Sequence, residues 1–140
     1  MKITVEDRVE INDLLASYCF SLDDKDWGRF SGLFHEDAVL DFTAFGGPRA
    51  GTDDLIAFLK PILDGLHCSQ HTISTSMLRV VGEQVEARTA AQVMMVSKPD
   101  GAEHVAFYGL WYRDRLVKAS GRWLIKERVQ QQAWTFNVPG

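Results

Sequence analysis

The chain has 140 residues, of which 46% are apolar and 24% are charged, and its formal net charge is −4. These values are typical of one folded domain with its own core, so we expect a single domain over residues 1–140. The negative charge argues against nucleic acid or an anionic membrane surface as a partner. No apolar run approaches the roughly 20 residues of a membrane span, and the N-terminus lacks a signal-peptide core. Two cysteines are too few for a disulfide framework, so we expect a cytoplasmic protein.

The N-terminal part of the chain has a helical pattern. Thr4 followed by Asp7 predicts a capped helix start, and apolar residues then recur at helical spacing as far as Leu22. A first helix is therefore expected from about residue 5 to 23. A shorter second helix, within "DKDWGRFSGLF", would present one apolar face made of Trp27, Phe30, Leu33 and Phe34.

A short strand and a third helix follow. "AVLDF" at 38–42 predicts a strand, and "GGPRAG" predicts a loop because of its glycines and proline. Thr52 is expected to cap the third helix, "DDLIAFLKPILDGL". Pro61 is expected to kink or restart this helix, because proline lacks the N–H donor that a helix interior needs.

From Cys68 onward the chain has strand character. Four stretches rich in Val, Thr and aromatic residues are separated by the turn-like segments "GE", "KPDGAE" and "KASG", which predicts four consecutive antiparallel strands joined by hairpins. Helices first and strands afterwards indicate an α+β fold. Three N-terminal helices would pack on one face of a strongly curved, mainly antiparallel sheet. A cone-shaped pocket can lie between these two layers.

Three polar residues are predicted to face that pocket. On a helical wheel Tyr18 lies about 20–40° from the centre of the apolar stripe, Asp23 about 100° from it, and Asp24 about 160° on the other side. On the first long strand His71 shares a face with Ile73. The alternative is that the two aspartates only terminate the helix and that His71 is a core histidine.

The chain resembles the SnoaL-like branch of the NTF2-like superfamily over essentially its whole length. The resemblance rests on the order of the elements, on "LFHEDAVLDF" after the second helix and on "YRDRLVKASGRWLIKERV" near the end. It is more specific for fold than for function, because this fold hosts dehydratases, isomerases, cyclases and binding domains.

The resemblance also implies a site. Lyases of this branch such as scytalone dehydratase, bile-acid 7α-dehydratase and hexachlorocyclohexane dehydrochlorinase use a His–Asp dyad, which corresponds here to His71 and Asp23. The first two families add a helix-one tyrosine, which corresponds to Tyr18, and some members add a last-strand arginine, here Arg128. Many relatives have asparagine four residues after the histidine, where this chain has Thr75.

The chemistry of these groups is coherent. A carboxylate bonded to one ring nitrogen fixes the imidazole tautomer and leaves the other nitrogen free to take a proton. A tyrosine donor can stabilise a developing oxyanion without a metal. The sequence therefore predicts a cofactor-independent lyase that performs a dehydratase-type elimination on a hydrophobic cyclic or polycyclic molecule. His71 would be the base, Asp23 its orienting partner and Tyr18 the electrophilic donor.

Two other functions remain open. A ketosteroid-isomerase-like isomerase or polyketide-type cyclase would use Asp41 as its base with Tyr18 as the donor. Asp41 faces inward only if Leu40 and Phe42, which share the opposite face of the strand, do not. A non-catalytic small-molecule binding or assembly module is the third possibility.

Four residues are expected to contact the substrate: Arg128, Asp41, Trp27 and Tyr108. The position of Arg128 depends on backbone irregularity. Strand alternation that buries Trp123 and Ile125 turns Arg128 outward unless a bulge intervenes.

No cofactor or metal site is predicted. His67, Cys68 and His71 are close in sequence but have no acidic third ligand nearby, and "GGPRAG" is not a nucleotide-binding fingerprint. The third long strand carries aromatic residues on both faces, which suggests a subunit interface through the sheet. We expect a homo-oligomer, with a trimer slightly favoured over a dimer because the dyad lyases that it resembles are often trimers.

Overall fold

Three α-helices and seven strands make up residues 1–139, which the computed structural model describes. The expected domain end at residue 140 lies outside this range. A single 3₁₀ turn, Thr43–Phe45, follows the first strand. The helices are α1 (Val5–Asp23), α2 (Trp27–Ser31) and α3 (Thr52–Asp64). The strands are β1 (Phe34–Asp41), β2 (Arg49–Ala50), β3 (Cys68–Ile73), β4 (Met77–Val81), β5 (Gln84–Ser97), β6 (His104–Ala119) and β7 (Arg122–Phe136).

The strands form one sheet in the order β2-β1-β7-β6-β5-β3, and β4 also pairs with β5. β1 runs parallel to β7, and the other pairs are antiparallel. The sheet is curved and does not close into a barrel, and the three helices lie on it. The α+β class predicted from the sequence is confirmed. No helix among residues 1–139 combines the length and the apolar character that a bilayer crossing requires.

A capping box fixes the start of α1 and attaches it to the sheet. The Thr4 hydroxyl accepts from the Asp7 backbone N–H at 3.0 Å, and the Asp7 carboxylate accepts from the Thr4 backbone N–H at 2.9 Å. Asp7 also accepts from the indole N–H of Trp123 at 2.9 Å and from the ammonium of Lys118 at 3.3 Å. The predicted cap is confirmed, and it ties α1 to the β6–β7 hairpin.

The start of α3 differs from the prediction. Thr52 is the first residue of the helix, and the cap position belongs to Gly51, which offers no side-chain hydrogen bond. The helix also continues through Pro61 to Asp64 rather than restarting there. Pro61 and Ala57, four residues before it, are both exposed, so water can solvate the carbonyl that loses its partner.

The first long strand is divided into β3 and β4. Both segments pair with β5, and residues 74–76 separate them. The hydroxyl of Ser74 accepts from the Ala90 backbone N–H at 3.0 Å, and the hydroxyls of Ser76 and Thr89 lie 2.6 Å apart. These side-chain hydrogen bonds join residues 74–76 to β5 where the backbone pairing with β5 is interrupted. Serine side chains can compete in this way with regular strand pairing.

β7 contains a bulge at Lys126, which we call the β7 bulge. Ile125 pairs with Leu116 and Glu127 pairs with Arg115, which are neighbours in β6. Lys126 is therefore an extra residue of β7 with no partner of its own in β6. Because of this extra residue, Arg128 turns to the same inner face as Ile125. Its side chain is only 1% exposed.

A cluster of polar and aromatic side chains surrounds Arg128. Its guanidinium donates to both carboxylate oxygens of Asp114, at 2.7 and 2.8 Å. The same group lies between two rings, 4.1 Å from the centroid of Tyr18 and 3.8 Å from that of Tyr112. Burial opposes the charge of Arg128, but the Asp114 carboxylate and its hydrogen bonds more than offset this, so the pKa of Arg128 lies above its ordinary value. The buried guanidinium group of Arg128 is therefore held between Asp114 and the face of the Tyr18 ring.

Replacing Asp7 by Asn should lower the melting temperature, and the effect should depend on pH. The hydrogen bond from the Thr4 backbone, with that from Trp123, holds the pKa of Asp7 well below its usual range. The ionised carboxylate therefore stabilises the fold above the ordinary pKa of about 4, and this contribution is lost as the pH falls through the lowered value.

Thermal unfolding followed by circular dichroism between neutral and acidic pH tests this dependence of the Asp7 contribution on pH. Asp13→Asn, at an exposed position of α1, is the matched control. A deficit that is independent of pH, or equal in both variants, would contradict the account.

Replacing Asp114 by Leu should cost about 3–5 kcal/mol of unfolding free energy, because it leaves the buried charge of Arg128 uncompensated. The double variant Asp114→Leu/Arg128→Met should recover most of this loss, because it removes both members of the buried pair and leaves neither charge uncompensated. Urea unfolding of both single variants and the double variant measures the coupling. If the losses of the single variants simply add, the charge pair is not the interaction that matters.

Candidate active site

The last residue of α1 meets the middle of β3. Asp23 and His71 are joined by a 2.7 Å contact between carboxylate Oδ1 and imidazole Nδ1. The backbone N–H of His71 donates to Oδ2 of Asp23 at 2.8 Å, and the hydroxyl of Ser69 donates to Oδ1 at 3.0 Å. Three hydrogen bonds therefore fix this carboxylate.

Local periodicity explains why these groups meet. Strand alternation puts Ser69 and His71 on the face of β3 that is turned toward α1, whereas Gln70 and Thr72 are exposed. At the helix end Asp23 is partly buried and Asp24 is exposed. The side chains of His71 and Asp23 are only 7% and 16% exposed, so the contact is shielded from solvent.

A cavity of about 190 Å³ lies beside His71. Its walls come from α1, α3, the segment between β1 and β2, and the inner face of the sheet. Most of the lining is apolar, and its large members include Phe42, Phe45, Phe58, Leu59, Val93 and Leu110. Throughout the part of the chain that the structure describes, no Asp, Glu, Lys or Arg side chain lines this cavity. The space therefore suits an uncharged, mainly apolar molecule.

Tyr18 reaches the same cavity from α1. Its side chain is fully buried, packed edge-on against Tyr112 and close to Phe30. Its hydroxyl has no hydrogen-bond partner within residues 1–139. Burial raises the pKa of Tyr18 well above its ordinary value, although the Arg128 cation acts in the opposite direction. Tyr18 is thus a protonated O–H donor whose proton is not engaged.

Of the other residues expected to bind substrate, Tyr108 lies in the cavity wall. Its ring meets that of Phe45 edge-on, with centroids 5.7 Å apart. Trp27 packs edge-on against Phe30 at 5.7 Å and is not in the lining. Arg128 is also absent from the lining, because it lies behind Tyr18 and binds Asp114.

Asp41 points away from the cavity. Leu40 and Phe42 are buried, so strand alternation turns Asp41 to the other face. Its carboxylate accepts from the hydroxyl of Thr43 at 2.6 Å and from the Thr43 backbone N–H at 3.0 Å. These two hydrogen bonds lower the pKa of Asp41. The group is an ionised turn-forming carboxylate, and it does not line the cavity.

No metal cluster accompanies the site in the described chain: residues 1–139 contain no group of three His, Cys, Asp or Glu side chains placed to hold an ion. His67 and Cys68 are exposed, whereas His71 is engaged by Asp23.

Three contributors were missed by the sequence analysis. Ser69 has the same strand parity as His71, so alternation alone could have identified it. Asp114 alternates with Tyr112 and Leu116, which marks it as inward but does not name Arg128 as its partner. Gln130 shares the inner face with Arg128 because the β7 bulge shifts the alternation of the strand, and no local sequence signal predicts that bulge.

Comparison with known proteins agrees with this architecture. The SnoaL-like domain family matches residues 4–129. The uncharacterized protein Rv2910c of Mycobacterium tuberculosis is 28% identical over 130 residues, which is 93% of this chain and 88% of that protein.

Solved structures show the same fold. A scytalone dehydratase-like protein from Novosphingobium aromaticivorans has a TM-score of 0.85 at 20% identity and covers 97% of this chain and 90% of its own. A type 2 hexachlorocyclohexane dehydrochlorinase (LinA) has a TM-score of 0.83 at 16% identity, with coverage of 97% and 91%. At such identities the likeness establishes the fold alone. Taken with the family match over residues 4–129, these findings make the chain a member of the SnoaL-like domain family of the NTF2-like superfamily, as the order of its elements predicts.

Proposed function

We propose that the protein is a cofactor-independent lyase in which His71 takes a proton from a carbon of a hydrophobic cyclic substrate. The observation that carries this proposal is the 2.7 Å contact of His71 with Asp23 at the wall of an otherwise apolar cavity. An imidazole held in this way, beside a space that no Asp, Glu, Lys or Arg side chain of residues 1–139 lines, is suited to general base catalysis.

Asp23 prepares His71 for this role. When Nδ1–H donates to the carboxylate, Nε2 keeps its lone pair and can accept a proton. The imidazolium that forms is then stabilised by the adjacent negative charge, in the way that a triad aspartate supports its histidine. Because Ser69 and the His71 backbone also hold Asp23, the carboxylate keeps its place while the charge develops.

The elimination balances without an external reactant. The C–H bond breaks and its proton goes to Nε2 of His71, while the electron pair forms a carbon–carbon double bond. The leaving group departs from the next carbon with its own bonding pair. If that group is hydroxide, the proton held by His71 can return to it, so that water is released and His71 is ready for another turnover.

Tyr18 supplies the electrophilic assistance. Its O–H has no acceptor among residues 1–139 and can donate to the oxygen on which negative charge develops, and a donor positioned beside a mainly apolar cavity is worth more than one in solution. Arg128 does not reach the cavity, and we assign it the positioning of the Tyr18 ring through the stacking described above.

An isomerase with Asp41 as its base is less well supported. Asp41 is engaged by Thr43 and lies outside the cavity lining, whereas His71 lies within it. The fold of the scytalone dehydratase-like and dehydrochlorinase structures is compatible with elimination chemistry at this cavity.

The base can be tested before any natural substrate is known. 5-Nitrobenzisoxazole is a neutral bicyclic probe whose ring opens by proton abstraction and elimination, with a visible product. We expect wild-type protein to accelerate this reaction and His71→Ala to lose at least about 100-fold of the rate, since a positioned base contributes about 10²–10⁴. Asp23→Asn should also lower the rate, because the tautomer is no longer fixed.

Asp24→Asn is the matched control, because Asp24 is the exposed neighbour of Asp23 at the same helix end. It should leave the rate unchanged. Equal rates for wild type and a folded His71→Ala variant would refute the lyase proposal and leave a binding module as the better description.

Tyr18→Phe should separate activity from stability. Removing an unpartnered buried hydroxyl should raise the unfolding free energy by about 1 kcal/mol, since an unsatisfied polar group no longer has to be buried. The rate of probe elimination should fall by roughly 100-fold, the usual effect of losing one oxyanion donor. Urea unfolding and the probe assay measure the two quantities. Loss of stability together with an unchanged rate would show that the hydroxyl is structural.

A further inference from the structure

Gln130 brings a polar side chain into the cavity from β7. It follows Arg128 by two residues on the same inner face, and the β7 bulge sets this orientation for both. β7 is three strands away from β3 in the order of the sheet, so Gln130 and His71 enter the cavity from different parts of its wall.

The side-chain amide of Gln130 is unengaged, unlike that of the next residue. Within the described residues no hydrogen bond involves the Gln130 side chain. In contrast, the side-chain carbonyl oxygen of Gln131 accepts a hydrogen bond from the Arg113 guanidinium at 2.8 Å on the outer face. Gln132 is exposed and does not line the cavity. Gln130 is partly buried, so its amide is available to a molecule that enters the cavity. A ligand that covers this amide without hydrogen-bonding to it would remove its water at a cost in binding free energy.

The chemistry of the occupant follows from the lining. No charged side chain of residues 1–139 lines the cavity, which disfavours a carboxylate or an ammonium group on the ligand. A glutamine amide offers N–H donors and a carbonyl acceptor, and it can therefore bind either a ketone or a hydroxyl group.

We propose that Gln130 is a specificity-determining residue, and that it recognises a carbonyl or hydroxyl oxygen on a neutral ring ligand at a position other than the carbon facing His71. This inference rests on the proposed function in taking the cavity as the substrate site. It adds a requirement that the dyad does not impose, namely a second polar point on an otherwise apolar ring.

Indane and 1-indanone test the proposal, because they share a carbon frame and differ by one carbonyl. Their dissociation constants should be measured by calorimetry for wild type, Gln130→Met, Gln132→Met and Tyr18→Phe. Methionine keeps the length of glutamine but cannot hydrogen-bond in this way. The ratio of the indane to the 1-indanone dissociation constant should fall about five-fold in Gln130→Met, the value of one net hydrogen bond. It should be unchanged in Gln132→Met, whose side chain is exposed.

A measurement on wild type avoids any dependence on how the variant folds. In ¹⁵N-labelled protein the side-chain amide resonances of Gln130 should shift on addition of 1-indanone and much less with indane. An unchanged ratio in Gln130→Met, a ratio that changes only in Tyr18→Phe, or no binding of either probe to wild type would each overturn the assignment.

Failure of the lyase proposal and failure of the Gln130 proposal would give different combinations of rate and binding ratio. If the 5-nitrobenzisoxazole rate survives in His71→Ala while the ratio falls in Gln130→Met, the cavity binds oxygenated rings but does not use the proposed base. If the rate depends on His71 and the ratio does not depend on Gln130, the lyase stands and the specificity assignment is wrong.

Discussion

The hydrogen-bonded contact between Asp23 and His71 is the interaction on which the candidate site depends. A carboxylate at the C-terminal end of a helix lies at the negative end of the helix dipole, and the last turn of α1 contains no basic residue to offset it. The protein therefore places a negative charge where the helix disfavours it, and β3 supplies the compensation through the imidazole, the backbone N–H of His71 and the hydroxyl of Ser69. An arrangement that opposes local preference and is repaired by a distant strand is expected at functional sites.

Around this contact the protein separates charge from the cavity. The buried cation of Arg128 is neutralised by Asp114 and covered by two tyrosine rings. Among residues 1–139, the polar side chains that line the space are those of His71, Tyr18, Tyr108 and Gln130, and none is Asp, Glu, Lys or Arg. If the proposed ring substrate binds here, a small charge created on it would be poorly screened, so a few correctly placed donors would have a large effect.

Features set by nearby residues could be predicted from the sequence. The capped start of α1, the inward position of Tyr18 and the different exposure of Asp23 and Asp24 follow from helical periodicity, and the facing of His71 follows from strand alternation. Periodicity says which face a residue occupies, and here two predicted faces meet. The contact itself still required the fold, because no local signal gives the distance between α1 and β3.

Features set by partners far away in the chain could not be predicted. The division of the first long strand, the parallel pairing of β1 with β7 and the β7 bulge all depend on which residues lie opposite in other strands. The inward turn of Arg128 depends on the bulge, and its pairing with Asp114 depends on the β6–β7 register. The expectation that Thr52 caps α3 was wrong for a different reason, since glycine also serves at this position and the chain uses Gly51.

The β7 bulge also bears on how chain length can vary in relatives of this protein. Lys126 shares its place in the ladder with Glu127, so a chain without it would form a regular strand in which Arg128 still follows Ile125 on the inner face. Losing a residue between Arg128 and Gln130 would instead place consecutive side chains on opposite faces and expel the amide from the cavity. Loss of one residue at position 126 should therefore preserve the inner face of this strand, whereas loss of Val129 should remove Gln130 from it.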